Sequence, residues 1–161
     1  MDNDRFAPPK AEVEGAPLES AAAPPLWNPN AAANWSLLFT PIFGSWLHML
    51  NWRALGETER AESAKTWLVL STLLLAGLTL GAVVMPFSGL DAVIWPLTFV
   101  LLLAWYFASA RGQARWVQAR YGNVYPRKGW WQPLLGALVL WIATSITMSI
   151  IGSVAGALAR R

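Results

Sequence analysis

The chain has no cysteine and a single histidine, His48. Disulfides, thiolate nucleophiles and cysteine-held metals are therefore excluded, and one imidazole with no carboxylate beside it does not complete a metal site. Charge is scarce too. Only 13% of the 161 residues are Asp, Glu, Lys or Arg, about half of what a soluble domain of this size carries. Those charges avoid three long stretches, which therefore lack the ionisable side chains that proton and ion pathways normally need. There is no Ser/His/Asp set, no pair of carboxylates at depth and no glycine-rich phosphate loop. The expectation is a protein that is not an enzyme and uses no cofactor. Met1-Asp2-Asn3-Asp4 is acidic and no apolar h-region follows it, so no cleavable signal peptide is expected.

What is present is apolar: 55% of the residues are hydrophobic. Residues 67–87 and 92–110 are two uncharged runs joined by Pro86-Phe87-Ser88-Gly89-Leu90-Asp91. Each holds about twenty residues, roughly 30 Å of helix and the thickness of a bilayer's hydrocarbon core. In the first run Leu68, Val69, Leu70, Leu73, Leu74, Leu75, Leu78, Leu80, Val83 and Val84 cover every face of a helix, where a soluble amphipathic helix would keep one face polar. At about 0.3 to 0.6 kcal/mol apiece these residues favour insertion by roughly 3 to 6 kcal/mol. Asp91 can cap the next helix, and Pro96 should bend its entry mildly. A third run, residues 133–158, is entered through Trp130-Trp131, with Pro133 acceptable at a helix start. The fold class is all-α: a multi-pass transmembrane protein whose solvent partner is the lipid bilayer.

The segment 34–52 leaves an alternative open. Trp35, Leu38, Phe39, Ile42, Phe43, Trp46, Leu47 and Leu50 fall on one helical face, and Ser36, Thr40, Gly44, His48 and Asn51 fall on the other. An in-plane surface helix would carry Lys or Arg on its polar face. This one is uncharged and is interrupted by Thr40-Pro41 and Gly44, which favours a re-entrant or interfacial helix beside three full spans; a fourth span is the alternative. His48 reads as a hydrogen-bonded structural histidine, with proton sensing as the other possibility.

Residues 1–25, rich in Ala, Pro and Glu, read as a disordered tail ahead of a membrane domain over 26–161. Residues 53–66 read as a surface helix running into the first span, with Arg53/Glu57 and Glu62/Lys65 at helical spacing. The segment 111–128 carries Arg111, Arg115, Arg120, Arg127 and Lys128 without an acid. By the positive-inside rule this loop is cytoplasmic and the 86–91 turn periplasmic, although Arg160-Arg161 fall on the periplasmic side.

Small residues recur at packing distance. Gly77 and Gly81, Ala104 and Ala108, and Ser145, Ser149, Gly152 and Gly156 form seams along which helix backbones can approach, within one molecule or between copies. Of the 11 tryptophans, Trp35, Trp52, Trp67, Trp95, Trp116, Trp130 and Trp131 sit near span ends, as interfacial anchors do. The basic loop interleaves arginine with aromatic residues and could meet anionic head groups; flanked by spans, it is too confined for nucleic acid.

Trp27-Asn28-Pro29-Asn30, then Asn34-Trp35-Ser36-Leu37-Leu38-Phe39-Thr40-Pro41-Ile42-Phe43-Gly44 and Asn51-Trp52-Arg53-Ala54-Leu55-Gly56, resemble the opening block of small, uncharacterised bacterial inner-membrane proteins. The resemblance covers about 27–72 and implies a bacterial inner membrane, with no catalytic residues to carry over. Three functions remain in view. The first is a non-enzymatic inner-membrane protein that binds other membrane proteins, as an accessory or immunity-type partner or as a homo-oligomer. The second is a small oligomeric channel or permease lined by the Ser/Thr face of 141–153 and His48. The third is a surface sensor of anionic lipid.

Overall fold

The computed structural model describes residues 23–85 and 89–160, apart from the side chain of Asp91. The expected disordered tail, apart from 23–25, and residues 86–88 of the 86–91 turn thus lie outside the described residues. Among the described residues there are four helical bodies: α1 (Pro29–Ala54), α2 (Thr58–Val84), α3 (Leu90–Trp105) continuing through a π turn (Tyr106–Ala110) into α4 (Arg111–Tyr121), and α5 (Trp131–Leu158). Among the described residues there is no strand, only an isolated bridge between Leu26 and Arg127.

Three of these bodies, Thr58–Val84, Ala92–Tyr121 and Trp131–Leu158, are long and apolar enough to cross a membrane. At most 11% of each apolar stretch is buried by the rest of the chain. Water would not tolerate so much bare Leu, Val and Ile, so the surrounding medium is lipid.

The element that was ambiguous in sequence is a re-entrant hairpin. Phe39 and Thr40 leave helical geometry, Thr40 at φ 65° and ψ 169°, and the chain reverses there. Residues 29–38 and 41–54 then run side by side. Trp27 meets Asn51, the Pro29 carbonyl meets His48, and Ser36 abuts Gly44. The limbs of 10 and 14 residues extend about 15 and 21 Å, so neither crosses a 30 Å core. A fourth span is excluded because both feet stand at the same end. Asn28 begins the first limb, accepting from the Asn30 and Ala31 amides, with Pro29 in the first helical position. The turn at Gly56, φ 75°, ends the second: the Gly56 amide donates to Arg53 and the Glu57 amide to Trp52, satisfying two terminal carbonyls.

That turn also revises a pairing. Arg53 lies in the last turn of α1 and Glu57 at the N-cap of α2, beyond the turn, and Glu57 instead meets Arg60 at 3.6 Å, while Glu62 and Lys65 pair at 3.0 Å as their spacing suggests. The surface helix and the first span are one uninterrupted helix, α2. The basic segment is a second difference. Residues 111–121 are helical, not a loop, because nothing breaks the helix before Gly122 at φ 59°. The helix 92–121 is about 45 Å long and overshoots the hydrocarbon, carrying α4 out beyond the core. In the π turn the Arg111 amide donates to Tyr106, five residues back. This wide turn steps from Trp105 to Ala110 so that both remain buried, as do Gln113 and Val117. Helix α3 starts after Gly89, φ 76°, so Asp91 is inside the helix and not its cap.

Candidate functional site: a polar seam and a ring of stacked cations

The feet of the hairpin are joined to α4 through a buried polar seam. Asn51 accepts from the Trp27 amide at 3.0 Å and donates to the Trp27 carbonyl at 2.8 Å and to Gln113 Oε1 at 3.2 Å. Gln113 Nε2 donates to the His48 carbonyl at 2.9 Å, and His48 Nε2 lies 3.2 Å from the Pro29 carbonyl. His48, Asn51 and Gln113 are wholly buried. A carbonyl can only accept, so the His48 tautomer carries its proton on Nε2 and leaves Nδ1 a bare acceptor. Nδ1 has no protein partner, nor do Trp105 Nε1, Ser45 Oγ and Ser71 Oγ, all buried. The His48 and Trp105 rings are 5.3 Å apart, one with a spare acceptor and the other with a spare donor. Burial lowers the His48 pKa to about 4, against the opposing effect of the Pro29 carbonyl.

The polar face seen in the sequence of 34–52 therefore points into the protein. Ser36, Gly44, His48 and Asn51 are buried, while Leu37 and Leu38 near the tip are about two-thirds exposed. Gly44 is required there, because a Cβ would overlap Ser36 Oγ and the Trp105 indole.

Cations gather on aromatic rings at the same end of the fold. Arg60 lies 5.0 Å over Trp52 and 5.6 Å over Trp116, whose rings meet edge-on at 5.4 Å; Arg120 lies 5.4 Å over Trp116. Arg111 stacks on Phe107, Arg127 on Tyr125 and Lys128 on Trp27. Arg115 is not brought to a ring. A backbone clasp holds this region: Leu26 exchanges hydrogen bonds with Pro126 and Lys128, and Trp27 Nε1 donates to the Gly129 carbonyl.

The small-residue seams have mixed placements. Gly81 meets Leu90 and Gly152 meets Val83 in tight contact, whereas Gly77 and Gly156 would offer an added Cβ open space. Ala104 and Ala108 lie on the exposed side of their helix. Ser149, Gly152 and Gly156 line an open groove of about 430 Å³ with Ala82, Val83 and Val84. Ser145, Thr147, Ser149 and Ser153 each donate to a carbonyl four residues back, and none of these hydroxyls is brought to His48.

The residues the sequence reading passed over are Gln113, Trp105 and Arg60. Gln113 carried a faint signal as an amide in an otherwise basic and small stretch. Among the described residues no group of three or more His, Asp or Glu could hold a metal. This geometry defines a multi-pass membrane protein with three apolar helices and one re-entrant hairpin. Compared with known protein families, with curated proteins and with solved structures, the chain matches none.

Proposed function

We propose that this is a non-enzymatic protein of a bacterial inner membrane that binds other membrane proteins, as an accessory or immunity-type partner, with the exposed face of α5 as its contact surface. One observation carries the reading. No residue in the apolar stretch of α5 is fully buried by its own chain, yet it bears Ser145, Ser149, Gly152 and Gly156 on one side, where Ser149, Gly152 and Gly156 line an open groove beside α2 and, of the two glycines, only Gly152 would bring an added Cβ against Val83. In lipid, helices associate through close backbone approach and van der Waals packing, since apolar burial gives no net drive there. An open, only partly filled seam is thus a surface suited to a second helix. The hydroxyls are satisfied on their own helix, so the face is ready for contact without desolvating polar groups.

The channel reading has less support. In a single chain His48 is sealed against Trp105 and Pro29, and the hydroxyls of α5 do not converge on it. The stacked cations, Arg60 and both feet of the hairpin stand at one end, which supports a cytoplasmic position for that end.

Gly156→Leu tests the proposal, because a Cβ added there has no atom of the chain itself within 4 Å and the rest of the side chain projects into the open groove. In mild detergent the wild-type protein should elute with a partner or as an oligomer. The variant should elute as the bare chain with an unchanged melting temperature. Recovery of wild-type protein only as a monomer, with no partner, overturns the reading. Labelling of Gly122→Cys from the periplasmic face of intact cells would overturn the orientation.

A further inference from the structure

The proposed protein contact leaves the stacked cations unused. Arg60 comes from α2 and Arg120 from α4, far apart in sequence, yet both guanidinium carbons lie within 5.6 Å of the centre of the Trp116 ring. Stacking engages the flat face of a guanidinium and leaves the N–H edges free. Arg60 turns part of its edge to Glu57 at 3.6 Å, an exposed pair that water screens. Arg120 has no carboxylate partner among the described residues, and no acid occurs from Arg111 to Tyr121. Two pre-positioned forks with unspent donors form a recognition element for a group with several charged oxygens.

Depth identifies which such group is at hand. On α2 the last charge before the uncharged run is Lys65, five residues past Arg60; on the other helix Arg111 is the first charge after the run, and Trp116 and Arg120 follow within the next turns. Both arginines thus stand just outside the hydrocarbon, beside the same indole, a side chain typical of the head-group layer. We propose that Arg60 and Arg120, stacked on Trp116, bind the phosphate of an anionic lipid head group. The site is narrower than the basic segment as a whole, since Arg127 and Lys128 stack on other rings, Tyr125 and Trp27, and not on Trp116, and it includes a residue, Arg60, outside that segment.

The test uses the full chain, purified in mild detergent with mixed phosphatidylglycerol and phosphatidylcholine and read by native mass spectrometry for retained lipid. Arg60→Gln and Arg120→Gln should each lower retention of phosphatidylglycerol relative to phosphatidylcholine about fivefold, and Arg127→Gln should leave it unchanged. A melting temperature within the wild-type range verifies the fold of each variant. An equal fall in all three variants, or retention that does not prefer phosphatidylglycerol, overturns the proposal. Displacement of the lipid by millimolar inorganic phosphate would assign the site to a free phosphate and overturn the lipid as its source.

Discussion

His48 gives a direct reading of whether the hairpin is packed as described. It is the only imidazole in the chain, so one pair of nitrogen resonances reports it alone. In the folded protein burial holds its pKa at about 4; in the unfolded chain it should titrate near 6.5. Between these values the unfolded chain binds a proton that the folded chain rejects, so stability is greatest above pH 6.5 and falls as the pH drops towards 4. Below about 4 both states are protonated and the loss is complete. Holding the imidazole neutral down to about pH 4 makes the full loss on the order of 3 kcal/mol. With ¹⁵N-histidine in detergent micelles, the spectrum should show the proton on Nε2 and an unprotonated Nδ1 down to near pH 4. The melting temperature should fall over pH 6.5 to 4, and His48→Gln should lose most of that dependence. An imidazole that titrates near 6.5 in the folded protein would mean that water reaches the ring, and the packing of His48 against Trp105 and Pro29 would be refuted.

Other positions give independent outcomes. Gly44→Ala should destabilise the protein by about 1 to 3 kcal/mol, because its Cβ would overlap Ser36 and Trp105; Gly77→Ala, which meets nothing, should melt within a degree or two of wild type or slightly higher. Asn51→Leu strands the Trp27 amide and carbonyl and Gln113 Oε1, a loss of about 3 kcal/mol measurable by thermal or denaturant unfolding. Thr40→Gly should raise stability by about 1 kcal/mol, since a β-branched residue at φ 65° is strained where glycine is not. Single cysteines at Asn30 and Arg53, both exposed, should react with an impermeant label from the same side of the membrane. Labelling from opposite sides would restore a fourth span in place of the hairpin.

The spans were legible because their evidence is local. Leu68 to Val84 and 133–158 carry no charge, and that alone demands a solvent other than water. The break in the hairpin was half legible. Pro41 and Gly44 announce an interruption, but the reversal depends on Thr40 adopting φ 65°, which no propensity for threonine suggests. The polar residues of 34–52 were legible, whereas their placement was not: the reversal splits the two expected faces between two limbs and buries Phe43 and Leu47 of the apolar face as well, and the inward direction of the polar residues depends on what α4 offers across the gap. Gln113 makes the answer inward, and its role arises only when a residue 62 positions from Asn51 arrives beside it. Arg60 joins Trp116 in the same way. Helical continuation from Arg111 to Tyr121 could have been read from the lack of proline before Gly122, a single glycine, Gly112, being tolerated inside a helix; charge drew attention to sidedness and away from conformation.

The inward polar face explains how a half-length element can exist in a membrane. Backbone leaving helical geometry at hydrocarbon depth is tolerated only where protein or water covers it. Here the reversal at Phe39 and Thr40 lies at the far end of limbs about 15 to 21 Å long, and the limb contacts below it are filled by Gly44, Ser36 and Trp105. Apolar side chains cannot fix those limbs against lipid, since Leu37 is as content facing tails as facing protein. Directional bonds can. Asn51, Gln113 and the Trp27 backbone tie both feet to α4 near the head-group layer, where breaking them in favour of lipid would leave several donors and acceptors unsatisfied. The seam and the close Gly44 contact therefore perform the role that a hydrophobic core performs in water: they make one arrangement of the hairpin lower in energy than any in which its limbs separate.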